Sequence, residues 1–558
     1  MKTNILKIAL LTMAAILTTS YTTAQTSAAK KVSESVFTLT TFKKDGSLLA
    51  SSHGVFTNNG EAISNLSPFI GADKAVVIDS KGEKHNVTRI LGLNGIYDVV
   101  RFKTDGHNKY APIAKGQTEA DAKIWLVPYA TKSVKPLMAN IKSIEKFMSD
   151  YSYYIFSFDS NENTEGCPFV NDNGEVIGLL QSSTINEDIH ATDAKFTQSL
   201  KTTGLSVNDE NYRKIGIPAA LPDDKEQAML TLMLTEQLGD SAKCAATSED
   251  FIKSFPDIID GYAAKAQLEV NANNFDKAKS TMDKALSEVK AKEDAHYNYA
   301  KIIYLKEIYK ADIPYAQWNL DKALNEITTA YTLKQLPVYK DLEGQILFAK
   351  GDYNKAYDTF IGLTNTNLKS GDLFYNAALC KQQLKAPDTE ILALLDSAVN
   401  NADTINMYNS AKYYQMRAEV YNRAMNYRQA VFDMTRYEIA CGGRVNAEFY
   451  YNREQLEIKA KLFKQALTDI DNAIFLDAKE PTYIAEKASL QLRLNLFKDA
   501  IETSQKCIDL APDFSDAYLI LGISQIKTGN KTDGLRNLNK AKDMGNSQAQ
   551  PIIEKHSK

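Results

Sequence analysis

The chain has 558 residues, more than the roughly 250–300 that one hydrophobic core serves, so two or more structural units are expected. Its 65 basic and 69 acidic residues leave a net charge of −4, which provides no strongly basic face and argues against a nucleic-acid partner. Five cysteines and six scattered histidines, without a C-x-x-C or H-E-x-x-H motif, argue against a disulfide scaffold and a zinc site. No metal and no cofactor are expected.

The first 24 residues have the pattern of a secretory signal peptide. Lys2 and Lys7 precede the apolar run Ile8–Leu17, and small polar residues lead to Ala24. The run is shorter than the roughly 20 residues that cross a bilayer, and no later stretch is apolar enough to do so. We therefore expect cleavage after Ala24 and a soluble mature protein without a transmembrane segment, exported to the periplasm or another extracytoplasmic space.

Residues 32–208 alternate short β-rich runs with turn signals such as Asp45-Gly46 and Asn173-Gly174. Many short strands at near-regular spacing predict an antiparallel barrel or sandwich. The predicted strands are Ser35–Phe42, Gly54–Thr57, Ala75–Asp79, Val99–Lys103, Lys123–Pro128, Tyr153–Phe158 and Val176–Leu180.

Three sequence blocks in this region indicate which class of β-protein it resembles. Residues 54–67 read G-V-F-T-N-N-G-E-A-I-S-N-L-S, residues 97–103 read Y-D-V-V-R-F-K, and residues 163–178 read N-T-E-G-C-P-F-V-N-D-N-G-E-V-I-G. In order and spacing these blocks resemble the HtrA/Deg-type trypsin-like serine proteases, and the last block is the most specific. The resemblance implies two six-stranded barrels with a site between them.

The same resemblance implies that the catalytic residues are missing. The aspartate position of the triad falls on Asp98, but the histidine position falls on Ser67 and the nucleophile position on Glu165. A triad needs an imidazole that takes the proton of a positioned hydroxyl group. A carboxylate at Glu165 would also oppose the oxyanion of the reaction. The domain is therefore interpreted as an inactive protease.

Cys167 provides the alternative interpretation, an atypical peptidase with a thiol nucleophile. It lies two positions beyond the nucleophile position, and no histidine occupies the base position. His53 is interpreted as a half-buried structural residue, and His190 as a residue that lines a groove. Loss of hydrolase activity remains the preferred interpretation.

From residue 224 to residue 548 the sequence repeats about every 34 residues, with the clearest copies starting at Ala447, Pro481 and Ser515. Small residues recur at repeat positions 8, 20 and 27, as two closely packed helices require. This pattern resembles the tetratricopeptide repeat (TPR) and implies an all-α solenoid of about eight to nine repeats. Residues 209–223 are interpreted as a linker, and residues 549–558 as a C-terminal tail.

The first helices of the predicted repeats carry a row of cations. In known TPR arrays, positions 2, 5, 9, 12 and 13 of each first helix point into the groove. Asn422 and Tyr451 occupy two of these positions. Position 13 is basic in four successive repeats, namely Arg423, Lys459, Arg493 and Lys527. The row predicts a groove for an acidic peptide or a C-terminal carboxylate, and a solvated charged face is the other interpretation.

Together these patterns predict an all-β trypsin-like double barrel followed by an all-α TPR solenoid. The predicted function is that of an exported protein-binding scaffold whose partner is a protein or peptide in the groove. The alternative is a serine- or cysteine-type endopeptidase whose repeats recruit substrate. A third interpretation makes the barrel an ordered cap on the end of the solenoid.

Overall fold

The computed structural model describes residues 27–106, 108–132, 134–157, 164–182, 188–403 and 406–557. The predicted signal peptide, residues 1–24, lies outside these ranges. The chain forms two compact units, one ending at Ile302 and the other beginning at Ile303. Among the described residues, no helix combines the length and the apolar character that crossing a membrane requires.

The first six strands form a closed antiparallel barrel in the order β1-β2-β3-β6-β5-β4. They are β1 (Val36–Phe42), β2 (Leu48–Asn58), β3 (Glu61–Ser64), β4 (Lys74–Ile78), β5 (Lys84–Asn94) and β6 (Val99–Thr104). Phe37, Phe56 and Phe102 point into one core and are at most 1% exposed. Gly54 packs so tightly that an added Cβ would lie 2.4 Å from the carbonyl oxygen of Ile63 and 2.5 Å from the ring of Phe37. The close approach explains why the G-V-F motif begins with glycine.

The next six strands form a second closed barrel in the order β10-β11-β12-β9-β8-β7. They are β7 (Ile124–Leu126), β8 (Leu137–Phe147), β9 (Tyr151–Ser157), β10 (Pro168–Asn171), β11 (Val176–Ser182) and β12 (Ile189–Asp193). Phe156 and Phe169 stack at 4.1 Å in its core. The predicted double barrel is confirmed.

The segment after the second barrel returns to the first. It contains α1 (Ala194–Ser199) and α2 (Glu210–Lys214). Ile215 and Ile217 then enter the core of the first barrel, and the backbone of Ile90 hydrogen-bonds to residues 218 and 220. Residues 209–223, interpreted above as a linker, thus contain ordered structure that packs on the first barrel.

Eighteen helices follow within the described residues, and in eight of the successive pairs the two helices pack against each other, as the TPR resemblance implies. In the first unit they are α3 (Lys225–Leu238), α4 (Ser241–Ser254), α5 (Ile259–Asn271) and α6 (Phe275–Glu288), and α7 (Lys292–Tyr309) crosses the boundary between the units. The second unit continues with α8 (Leu320–Leu333), α9 (Pro337–Ala349), α10 (Tyr353–Leu363), α11 (Gly371–Gln383), α12 (Asp388–Asn400), α13 (Ala411–Arg423), α14 (Tyr427–Ala440), α15 (Ala447–Lys459), α16 (Phe463–Leu476), α17 (Pro481–Arg493), α18 (Phe497–Leu510), α19 (Ser515–Lys527) and α20 (Lys531–Asp543). The predicted all-α solenoid is confirmed.

Small residues lie where the two helices of a pair cross. A Cβ on Gly522 of α19 would lie 2.7 Å from the carbonyl oxygen of Gly534 on α20 and 2.8 Å from Leu538. Gly344 of α9 is equally close to the ring of Phe360 on α10. These contacts give the physical reason for small residues at repeat positions 8 and 20.

The first helix of most pairs ends in the same way. Two residues after its last helical residue, the backbone has a positive φ, which closes the turn to the second helix. These left-handed residues are Asn273, Gly351, Lys385, Met425, Lys461, Asn495 and Gly529. The repeat length is therefore set by a common turn as well as by helix packing.

The residues beyond the last pair also form a helix, α21 (Ala549–His556). Ala549 is fully buried, and Ile552 and Ile553 pack with Leu538 of α20. The segment interpreted as a tail therefore forms a helix that packs on the last pair.

Candidate functional site

Ser67 and Asp98 lie together at the edge of the first barrel. Ser67 opens a short 3₁₀ turn after β3, and Asp98 precedes β6 with a positive φ of 47°. The backbone N–H and the Oγ–H of Ser67 both donate to Oδ1 of Asp98, each at 2.7 Å. Burial raises the pKa of Asp98, and the two bonds from Ser67 oppose that shift. The carboxylate is thus engaged by a hydroxyl group and a peptide N–H.

Side chains of the second barrel hold the peptide of Asp98 in place. Nε2 of Gln181 on β11 donates to the carbonyl oxygens of Tyr97 at 2.7 Å and of Asp98 at 3.2 Å. Oγ1 of Thr192 on β12 donates to the same Tyr97 oxygen at 3.1 Å. Sequence reasoning missed both residues, although a polar glutamine between Leu180 and the end of an apolar strand is a visible signal.

Glu165 lies in a tight turn that precedes β10. The Cys167 N–H donates to the carbonyl oxygen of Thr164 at 3.0 Å, and Gly166 has a φ of +80°. Ser52 on β2 donates to the Glu165 carbonyl oxygen at 3.3 Å, and Nδ1 of His53 lies 3.1 Å from the same oxygen. Within the described part of the chain, the exposed Glu165 carboxylate bonds neither to Ser67 nor to Asp98.

Cys167 lies in the core of the second barrel with Phe156 and Phe169. Its side chain is 0% exposed, and burial raises the pKa of its thiol to about 12. A thiol in this state is neither accessible nor ionised near neutral pH, which are the two conditions for a nucleophile.

His53 and His190, the two histidines near the candidate site, both pack against neighbouring residues. His53 is half-buried, and burial lowers its pKa although its bond to Glu165 opposes that shift. His190 stacks on Tyr153 at 5.5 Å, and its buried Nδ1 has no hydrogen-bond partner. Burial raises the pKa of Tyr153, and the carboxylates of Glu145 and Asp98 add to the effect. The structure thus brings Tyr153 and His190 together, which sequence reasoning did not predict.

The four cations of the predicted row each end a first helix. Arg423, Lys459, Arg493 and Lys527 are the last residues of α13, α15, α17 and α19, and all four are exposed. A cation in the last turn is favoured by the helix dipole, so the helix ends themselves provide one reason for the row.

The surroundings of the row differ from repeat to repeat. Nη2 of Arg423 pairs with Asp388 at 2.8 Å, whereas Nζ of Lys459 lies 5.6 Å from the ring of Tyr427. Asn422 is exposed beside Arg423. The ring of Tyr451 lies 5.2 Å from that of Tyr483 on the next first helix. Peptide binding by these residues stays a prediction.

Charged side chains also lie inside the helical repeats, at positions that the sequence analysis did not single out. Arg453 of α15 is 7% exposed and binds Asp469 of α16 through Nε and Nη2, at 2.6 and 2.9 Å. Its Nη1 reaches Glu438 on the preceding helix α14 at 2.6 Å. Arg417 of α13 makes the same two-oxygen contact with Asp433 of α14.

Comparison with known proteins supports the helical part of the fold. A tetratricopeptide repeat-like domain family matches residues 225–367. Solved structures similar to this chain include the Rv3671c protease of M. tuberculosis in its active form, at 14% identity, over 31% of this chain and 82% of that one, with a TM-score of 0.28. The inactive form of the same protease matches at 14% identity, over 31% and 91% of the two chains, with a TM-score of 0.26. No curated protein sequence matches the chain. Likeness at this level carries no information about activity.

Proposed function

We propose that this chain is an exported scaffold that binds another polypeptide through its TPR array, and that its trypsin-like domain does not hydrolyse peptides. The export rests on the pattern of residues 1–24, with Gln25 as the first residue of the mature chain. N-terminal sequencing of the protein recovered from the cell envelope tests this part. A chain that begins at Met1 would contradict it.

The observation that supports inactivity is the bonding of Asp98. Its Oδ1 accepts both the N–H and the hydroxyl group of Ser67, at the position where a triad has its histidine by resemblance. A serine hydroxyl has no proton-accepting nitrogen, so it cannot act as a general base for a nucleophile. Glu165, at the nucleophile position by the same resemblance, offers a carboxylate instead of a hydroxyl.

The peptidase alternative needs another nucleophile, and Cys167 is poorly suited to be one. Its sulfur is fully buried, and the pKa of the thiol lies near 12. An attack by this group would need both opening of the barrel core and loss of a tightly held proton.

A hydrolysis assay with three variants tests the inactivity. The mature protein should not cleave an unfolded protein substrate and should not react with a fluorophosphonate. The variant Glu165→Ser should stay inert, because Ser67 supplies no base. The double variant Ser67→His with Glu165→Ser, which restores the histidine and the serine of a triad, serves as the comparison. Turnover by the native chain that Cys167→Ala abolishes would replace this proposal with a thiol peptidase.

The binding half of the proposal rests on the TPR array. Repeats of this kind present the first helices of successive pairs as one surface, which suits an extended partner. The cations Arg423, Lys459, Arg493 and Lys527 favour an acidic segment at one edge of that surface. Cross-linking in the native envelope, followed by identification of the captured protein, tests the scaffold function, and a chain that captures nothing would contradict it.

A further inference from the structure

The second unit contains a cavity of about 540 Å³ on the side formed by its first helices. Val338, Asp341, Gln345 and Phe348 of α9 form one wall. They occupy repeat positions 2, 5, 9 and 12 of the copy that begins at Pro337, which are the positions predicted to point into the groove. The cavity is therefore part of the surface on which a TPR array receives its partner.

Helices on either side complete the cavity. Asp372, Asn376 and Leu379 of α11 form the opposite wall, and Tyr304 of α7 and Lys412 of α13 lie at its ends. Apolar and aromatic side chains thus alternate with polar and charged ones, and polar groups placed in this way can orient a ligand.

The two carboxylates of the cavity differ in their partners. Asp372 is neutralised by Lys412, at 2.5 Å, and also accepts from the hydroxyl group of Tyr413 at 2.9 Å. Asp341 accepts only the amide of Gln345, at 2.9 Å, and no cation pairs with it among the residues that the structure describes. Burial raises the pKa of Asp341, and repulsion by Asp372 adds to the effect.

An unneutralised, half-buried carboxylate beside aromatic rings is a receptor for a cation. Burial of a carboxylate costs solvation free energy, and the attraction of a cation in contact with the carboxylate offsets that cost. Tyr304 and Phe348 add ring faces, against which a guanidinium group or an aliphatic stem packs favourably. Lys412 cannot fill this role because Asp372 already holds it.

The first unit also contains a cavity with two carboxylates, although without aromatic rings among its described lining residues and with a lysine beside the carboxylates. This cavity, of about 550 Å³, is lined by Glu236 of α3, Asp260 of α5 and Lys301 of α7. Burial raises the pKa of Glu236, repulsion by Asp260 adds to the effect, and Lys301 opposes it. Burial also raises the pKa of Asp260, and repulsion by Asp294 adds to that effect. Carboxylates of first helices therefore line cavities in both units.

We propose that the cavity formed by α9 and α11 receives a cationic side chain, arginine or lysine, of the bound polypeptide, with its charge on Asp341 and its stem against Tyr304 and Phe348. The inference rests on the proposed scaffold function, because it names the chemistry of the partner at one part of the groove. This acidic cavity is a different part of the groove from the exposed cations at the ends of α13, α15, α17 and α19.

Short fluorescent peptides that differ at one residue type test the proposal by anisotropy with the full mature chain. One peptide carries arginine among apolar residues, the second carries the neutral isostere citrulline, and the third carries glutamate. The arginine peptide should bind at least about 10-fold more tightly than the citrulline peptide, since a hydrogen bond to a charged group contributes that much when partly shielded. Asp341→Asn should remove this preference without lowering the thermal stability.

Asp358→Asn is the matched control, because it removes an equal charge from an exposed position on α10. Equal binding of the arginine and citrulline peptides, no binding of the arginine peptide, or an unchanged preference in Asp341→Asn would each overturn the inference. Tightest binding of the glutamate peptide would overturn it in favour of an acidic partner. In all these cases the native partner would still be captured by cross-linking if the scaffold function is correct, so the two failures are distinguishable.

Discussion

Two buried glutamates of α15 should make the helical array less stable as the pH rises. Glu454 and Glu457 are 0% and 3% exposed, and one carboxyl oxygen of each has no hydrogen-bond partner. Burial, followed by repulsion from Asp469 of α16, raises the pKa of Glu457 to about 8. Burial and the carboxylate of Glu486 on α17 raise the pKa of Glu454 to about 7. Arg453 opposes the shift at Glu457 but does not cancel it.

The sign of the effect follows from proton binding. A glutamate in an unfolded chain titrates near pH 4.3, so between that pH and about 8 the folded chain holds a proton on Glu457 that the unfolded chain has released. Each pH unit in this window removes about 1.4 kcal/mol from the free energy of unfolding. Raising the pH from about 5 to about 8 should therefore cost on the order of 3–4 kcal/mol at this residue, and below about pH 4 the effect vanishes.

Glu457→Gln tests this reasoning because glutamine is neutral at every pH. The variant and the native chain should be similarly stable near pH 5, and the variant should be more stable near pH 8. Urea unfolding followed by circular dichroism gives the overall stability, and hydrogen exchange of residues 447–476 shows whether the effect is local. Glu419→Gln, at an exposed position on α13, is the control and should leave the pH dependence unchanged. A native chain and a Glu457→Gln variant with the same pH dependence would refute the argument.

Three further predictions follow from burial and charge. Alkylation of the folded chain at neutral pH should leave Cys167 unmodified, and peptide mass spectrometry that finds it modified as fast as in urea would contradict its burial. Arg453→Ala should lower the free energy of unfolding by about 3–5 kcal/mol, because it leaves a buried carboxylate unpaired, whereas Arg428→Ala at an exposed position should change it by less than about 0.5 kcal/mol. The double reversal Lys459→Glu with Arg493→Glu should weaken the capture of an acidic partner and reduce the salt dependence of that capture, while the helicity stays unchanged. Capture that survives the double reversal would identify the row of cations as a solvated face.

The architecture was predictable because its signals are local and repeated. The turn dipeptides and the G-V-F block mark the first barrel, and the constant spacing of small residues marks the helix pairs. The predicted set nevertheless lacks several strands, among them β3, β5, β8 and β10. In β8 only Ala139 of eleven residues is buried, so the strand lacks the apolar alternation on which the prediction depends.

The candidate site was predictable only in part. The spacing of the protease-like blocks led to Ser67 and Asp98, and the structure places their side chains in direct contact. Their support comes from Gln181 and Thr192, which bond to backbone atoms more than 80 residues away in the chain. Contacts of this kind depend on how two barrels pack and leave no periodic pattern in the sequence.

Two arginines inside the repeat array carry charge at positions that the regular repeat pattern does not reveal. Arg417 and Arg453 each bind an aspartate 16 residues later, Asp433 and Asp469, on the second helix of the same pair. A buried ion pair adds little net stability, because the desolvation of its members offsets their attraction. A shift of one helix against the other would, however, leave the arginine and the aspartate buried and unpaired, which would cost on the order of several kcal/mol. The pairs therefore favour one register of α13 on α14 and of α15 on α16. They help to keep the first helices in the alignment that the proposed binding surface requires.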